Sequence, residues 1–108
     1  MTESQFQSAV IELAQMCGWK VMHTRPAQVR PGVWATPIQG DAGFPDLVLC
    51  RPTQGDFIIT ELKTDVGRVS AGQTLWLRAL NSAGIETYVW RPKDLPAIKS
   101  RLARKTQP

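Results

Sequence analysis

No apolar run in the 108-residue chain approaches the roughly 20 residues that span a bilayer, so no membrane-spanning helix is expected. The first residues carry acids and glutamines, which fits neither a signal peptide nor a transit peptide, and a cytoplasmic location is expected. Cysteine is scarce. Cys17 and Cys50 are widely separated in apolar surroundings, form no zinc-ligand pattern, and read as buried free thiols rather than a disulfide. Histidine is scarcer: His23 is the single one, and a structural or phosphate-contacting role suits it better than metal ligation. Internal repeats are missing as well, which excludes a solenoid or propeller.

What remains is ordinary globular material. Apolar residues make up 43% and charged residues 20% of the chain, enough for one core and one domain. The net charge of +4 is unevenly placed. Residues 91–108 hold Arg91, Lys93, Lys99, Arg101, Arg104 and Lys105 against Asp94, and the body before them is close to neutral. A basic end of this kind suits a polyanion such as nucleic acid, and equally a solvated helix with a frayed tail.

"TESQFQSAVIELAQMCGW" has helical spacing at Phe6, Val10, Leu13, Ala14 and Cys17, with Thr2 and Gln5 at capping-box distance and Gly18 as the stop. A short strand over 19–23 follows. Residues 24–45 are dense in proline and glycine and are expected to carry no regular structure, as a functional or disordered loop. Strands are expected at 46–51 and 57–63 around a tight turn, then a helix at 70–84 capped by Ser70. Leu77 and Leu80 of that helix should face inward, with Leu75 or Trp76. A strand over 85–92 and a short basic helix over 94–105 complete the order α-β-β-β-α-β-α. The strand–helix–strand unit makes the last two strands parallel. The fold class is therefore α/β, a mixed four-stranded sheet flanked by helices, with the domain over 1–98 and a basic helix end and tail over 99–108.

Two acids interrupt apolar strands: Asp46 before Leu47-Val48-Leu49-Cys50, and Glu61 within Phe57-Ile58-Ile59-Thr60-Glu61-Leu62. Pairing 51 with 57 places 46 opposite about 62, beside Glu61, and alternation puts Glu61 and Lys63 on one face. Two carboxylates that close repel unless one is protonated or a cation lies between them; a hard divalent ion, most naturally Mg²⁺, answers both repulsion and burial. The plainer alternative is an Asp46 turn after Pro45 and a Glu61 ion pair with Lys63 or an arginine.

"FPDL" followed by "ELK" resembles the PD-(D/E)xK nuclease superfamily, with its restriction-endonuclease-like core. With Gly67, Ser70, Gln73, Gly84 and "VWRP", residues 3–98 are similar to the virus-type replication-repair nuclease (VRR-NUC) family. The resemblance implies a metal-dependent DNA phosphodiesterase leaving 5′-phosphate and 3′-hydroxyl ends. It implies Asp46, Glu61 and the Leu62 carbonyl as ligands of Mg²⁺ or Mn²⁺, and Lys63 as the group that orients water and stabilises the transition state. It also implies a first-helix glutamate, for which Glu3 shares a face with Gln7, Val10 and Ala14 while Glu12 lies opposite. Gln73 is placed near the metal by the resemblance and is also the capping partner of Ser70.

For DNA contacts the candidates are His23, Arg25, Arg30, Arg68, Lys99, Arg101, Arg104 and Lys105. Trp34 fits either stacking on an unpaired base or anchoring its own loop. The resemblance further implies a phage- or prophage-type endonuclease for branched DNA, acting as a homodimer on Holliday junctions; a monomer whose tryptophans pack internally is the alternative. Trp34, Val33 and Ile38, with apolar residues of the helix at 70–84, are the interface candidates. A restriction-type duplex endonuclease and a non-catalytic DNA-binding module are the rival readings. The first lacks an evident sequence-reading element, and the intact Asp46, Glu61 and Lys63 argue against the second.

Overall fold

The computed structural model describes residues 1–24, 27–35 and 38–104, and of 27–29 the backbone. Its elements are α1 (Glu3–Met16), β1 (Lys20–His23), β2 (Ala27–Arg30), β3 (Val33–Ala35), β4 (Leu47–Arg51), β5 (Asp56–Leu62), α2 (Ala71–Ser82), β6 (Glu86–Trp90) and α3 (Leu95–Ala103). Both long helices start on reciprocal caps. Thr2 Oγ1 accepts from the Gln5 amide at 3.1 Å while the Thr2 amide donates to Gln5 Oε1 at 2.8 Å. Ser70 and Gln73 repeat the pattern at 3.2 and 2.9 Å. Each cap satisfies backbone donors that a helix start leaves open, worth about 1 kcal/mol.

The main sheet runs β1-β4-β5-β6, antiparallel except for the β5–β6 pair, which is parallel as the strand–helix–strand unit requires. Phe6, Val10 and Ala14 of α1, with Ile98 and Leu102 of α3, pack on Leu47, Leu49, Ile58, Leu62 and Trp90 of the sheet to make the core. Phe6 is fully buried there, and truncating it to alanine would cost about 3–5 kcal/mol. The second helix is different. Leu77, Leu80 and Trp76 of α2 are only half-buried, and Leu75 is 67% exposed. Both cysteines are half-buried free thiols. Among the described residues no helix is long and apolar enough to cross a membrane.

Two expectations are corrected. The stretch 24–45 contains a hairpin, β2 paired with β3 as a separate two-stranded sheet. Its turn is Pro31-Gly32, so that proline sits between the strands, where no ladder donor is lost. The β4–β5 register is also one residue tighter than expected: Arg51 pairs with Asp56 and Leu47 with Thr60, so Asp46 comes opposite Glu61. A 3₁₀ turn, Pro52–Gln54, and Gly55 at φ 69° close this hairpin, a backbone conformation that glycine adopts without steric cost. α3 is continuous to Ala103, and Leu102 is fully buried with its carbonyl accepting from Trp19 Nε1 at 2.9 Å.

An ion-pair network fixes α3 and the end of α1 to the hairpin end of the sheet. Arg51 donates to Asp56 Oδ2 through Nε and Nη2 at 3.1 and 2.6 Å, and to the carbonyls of Cys17, Leu102 and Arg104. Arg101 donates to both Glu86 oxygens at 2.6 and 2.8 Å and to Asp56 Oδ1 at 3.0 Å. Both guanidiniums lie over the Trp19 ring, 4.5 and 5.4 Å from its centroid.

Candidate active site

At the opposite end of β5, the one-residue register places two acids side by side. The Leu62 amide donates to Asp46 Oδ2 at 3.0 Å, and the Asp46 amide donates to Glu61 Oε1 at 3.1 Å. The backbone thus holds both carboxylates in place. The Asp46 carbonyl in turn accepts from the Thr24 amide at 3.2 Å, tying the acid to the end of β1. Lys63 follows, its Nζ 3.4 Å from Glu61 Oε2. The alternation that put Glu61 and Lys63 on one face therefore becomes a contact.

The electrostatics of this end are unresolved by the protein alone. Glu61 is 1% exposed, and burial first, then the charge and hydrogen bonding of Asp46, push its pKa up to about 7. The Lys63 ammonium offsets only part of that rise. Glu61 Oε2 is buried with no hydrogen bond among the described residues, its polar neighbour being Lys63. Two anionic oxygen donors, one of them lacking a hydrogen bond, fit a hard divalent cation. Such an ion would be held by Asp46 and Glu61, with the carbonyl of Leu62, the residue after Glu61, as a backbone oxygen.

Glu3 borders the same open cavity as Asp46, about 470 Å³, together with Ser4, Gln7, His23, Thr24 and Trp34. It does not join the carboxylate pair: among the described residues no three acidic, histidine or cysteine side chains gather as a ready metal cage. Glu3 is exposed in the first turn of α1, where water solvates its charge. Glu12 is exposed farther along α1 and does not line the cavity. The Gln73 side chain is occupied by the Ser70 cap.

Of the expected DNA contacts, Arg30, Arg68, Lys99 and Arg104 are exposed and His23 is half-buried on the cavity wall. Arg25 and Lys105 lie outside the described residues. Arg101 corrects the expectation of a free basic face. Its side chain is 10% exposed and held between Asp56 and Glu86, because the α3 turn that carries it packs inward with Ile98 and Leu102.

Two features of the site escaped the sequence reading. Arg91 donates through Nη1 to the carbonyls of Thr64 and Gly67 at 2.6 and 2.7 Å, latching the loop after Lys63 to the end of β6. Its place in "VWRP" was the available signal. Gly43, at φ 100°, lies against α2 so closely that a Cβ there would come within 2.5 Å of the Gly72 carbonyl carbon. That contact, three residues before Asp46, presses the loop that enters the site onto the start of α2, and only the tertiary structure reveals it.

A carboxylate pair, Glu61 buried and Asp46 half-buried, with a neighbouring lysine at one end of a mixed sheet flanked by helices is the arrangement of an α/β nuclease. The chain belongs to the VRR-NUC family: the VRR-NUC domain matches residues 7–94, a span that includes Asp46, Glu61, Lys63 and Gln73 but stops short of Glu3 and of Lys99 onward. It is thus a nuclease domain, with DNA as the substrate class. No curated protein matches the chain significantly.

Proposed function

We propose that the protein is a Mg²⁺- or Mn²⁺-dependent endodeoxyribonuclease of phage or prophage type that cuts branched DNA in the cytoplasm as a homodimer. The observation that carries the metal dependence is the Asp46–Glu61 pair, held together by backbone amides while Glu61 Oε2 is left buried without a hydrogen bond. The bound ion supplies a Lewis acid that acidifies water and offsets charge developing on the scissile phosphate. Asp46 and Glu61 supply the anionic oxygens that hold it. Lys63, half-buried with its ammonium 3.4 Å from Glu61, would orient the attacking water and stabilise charge developing on the phosphate oxygens. Arg91 keeps the segment after Lys63 in place, so the ammonium needs little reorganisation during reaction.

The dimer is supported by the underpacked side of α2. Leu75, Trp76 and Ala79, with Gly72, Asp41 and Ala42, line an open cavity of about 520 Å³. Phe44 packs edge-on against Trp76 at 5.1 Å, and Ile38 and Val66 are exposed, Val66 by 89%. Val33 is half-buried. A second copy would cover this apolar surface, and a two-fold pair would present two centres to a symmetric four-way junction.

The test is cleavage of labelled duplex, flap, splayed-arm and four-way junction DNA with Mg²⁺, Mn²⁺ or EDTA, alongside light scattering. Metal-dependent nicking, fastest on the junction, with a mass near twice 12.0 kDa is expected. Turnover in excess EDTA would overturn the mechanism. Equal rates on junction and duplex by a 12.0 kDa species would overturn the substrate preference and the dimer.

A further inference from the structure

The four tryptophans are not equivalent. Trp19 is buried and hydrogen-bonded to the Leu102 carbonyl. Trp76 donates to the Asp41 carbonyl at 3.1 Å and touches Phe44. Trp90 is buried and stacked on Tyr88, with ring centroids 5.2 Å apart. Trp34 alone is 64% exposed, and its indole has neither a hydrogen bond nor a ring contact among the described residues. It therefore does not anchor its own hairpin to the core, one of the two roles its sequence position allowed.

Its position gives the exposed indole a use. β3 carries Trp34 on a hairpin that pairs only with itself, and the indole lines the cavity shared by Asp46, His23, Thr24 and Gln7. Whatever enters that cavity next to Asp46 meets an aromatic face with polar and acidic groups around it. In a nuclease the entering molecule is DNA. A base inside a duplex has both faces covered by its neighbours, so only an unpaired or unstacked base can offer its π-face to an indole.

We infer that Trp34 stacks on an unpaired or unstacked nucleobase beside the scissile phosphate and is the residue by which this site distinguishes branched or single-stranded DNA from continuous duplex. The inference rests on the nuclease reading of the cavity and commits Trp34 to DNA, leaving the α2 surface for the second protomer. Exposed Arg30, on the same hairpin, supplies a cation for the adjoining phosphates.

The experiment uses Asp46→Asn protein, which binds without cutting, and DNA carrying 2-aminopurine either unpaired at a flap base or paired within a duplex. Quenching of the unpaired fluorophore is expected with Trp34 present and not with Trp34→Ala. The same substitution should weaken flap binding about ten- to a hundredfold and leave duplex binding within about twofold. Trp34→Phe, which keeps a stacking face, should retain most of the flap affinity, and melting temperatures of both variants report on folding. Equal losses on flap and duplex, unchanged flap binding by folded Trp34→Ala, or a dimer that becomes monomeric on that substitution would each overturn the inference. A protein with Asp46 intact that quenches the flap base yet cuts nothing with Mg²⁺ would defeat the nuclease reading and leave the stacking standing.

Discussion

Asp56 and Glu61 begin and nearly end the same strand, β5, and both are buried, at 8% and 1% exposure. Their surroundings treat them in opposite ways. At Asp56 burial raises the pKa, but hydrogen bonds and charge from Arg51 and Arg101 outweigh it, and the carboxyl is held below its usual range. At Glu61 burial and the neighbouring Asp46 reinforce each other, Lys63 compensates only partly, and the carboxyl rises to about 7. A buried acid with two arginines completes its own electrostatics and serves the fold. A pair of acids, one buried and one half-buried, with one lysine is left undercompensated, and the proposed cation would supply the missing charge.

The comparison breaks first on substitutions of the acids. Asp46→Asn or Glu61→Gln should lower cleavage by about a thousandfold or more, and Lys63→Ala by about a hundredfold or more, in folded protein. Asp56→Ala should instead cost about 3–5 kcal/mol of stability, because it strands Arg51 in the interior, and leave the folded fraction able to cut. Unfolding titrations paired with single-turnover cleavage would separate the two ends. Full activity in Asp46→Asn would erase the distinction.

The pH dependence sharpens it. Glu61 has a folded pKa above its unfolded value of 4.5, so the folded state binds more protons between 4.5 and about 7. Stability of the metal-free protein should therefore fall as pH rises through that window, by on the order of 3 kcal/mol. Asp56, with a depressed pKa, contributes stability present above 3.8 and lost as pH falls through its folded pKa. Melting curves from pH 3 to 8 should show both limbs, and Glu61→Gln should remove the upper one while raising the melting temperature at pH 8. A flat upper limb in the wild type would mean that Glu61 is already compensated.

Smaller effects are expected from the periphery of each region. Glu3→Gln should slow cleavage by about tenfold and Glu12→Gln hardly at all, since only Glu3 borders the cavity. Equal losses would show that Glu3 acts only through the helix start. On α3, Lys99→Gln and Arg104→Gln should each reduce the log–log salt slope of duplex binding by about 0.9, whereas Arg101→Gln should lower the melting temperature through its Asp56 and Glu86 partners. A lower salt slope with an unchanged melting temperature for Arg101→Gln would put that arginine back on the DNA-binding face.

What the sequence by itself determined is whatever depends on neighbours along the chain. The capping boxes at Thr2–Gln5 and Ser70–Gln73, the core stripe Phe6-Val10-Ala14 and the parallel arrangement of β5 with β6 all follow from short-range spacing or chain connectivity, and each is found where that logic puts it. The nearness of Asp46, Glu61 and Lys63 was legible too, because a tight hairpin and two-residue alternation leave little freedom. Tertiary structure decided the rest. The register was one residue tighter because Gly55 closes the turn in a left-handed conformation. Residues 24–45 hold a hairpin because the turn, not a strand, takes Pro31. Arg101 turned inward because Asp56 and Glu86, distant in sequence, converge on it, and Trp34 stayed outside because its hairpin pairs with itself and not with the main sheet. Burial and partnership depend on contacts between residues far apart in the chain, and local spacing carries no information about them.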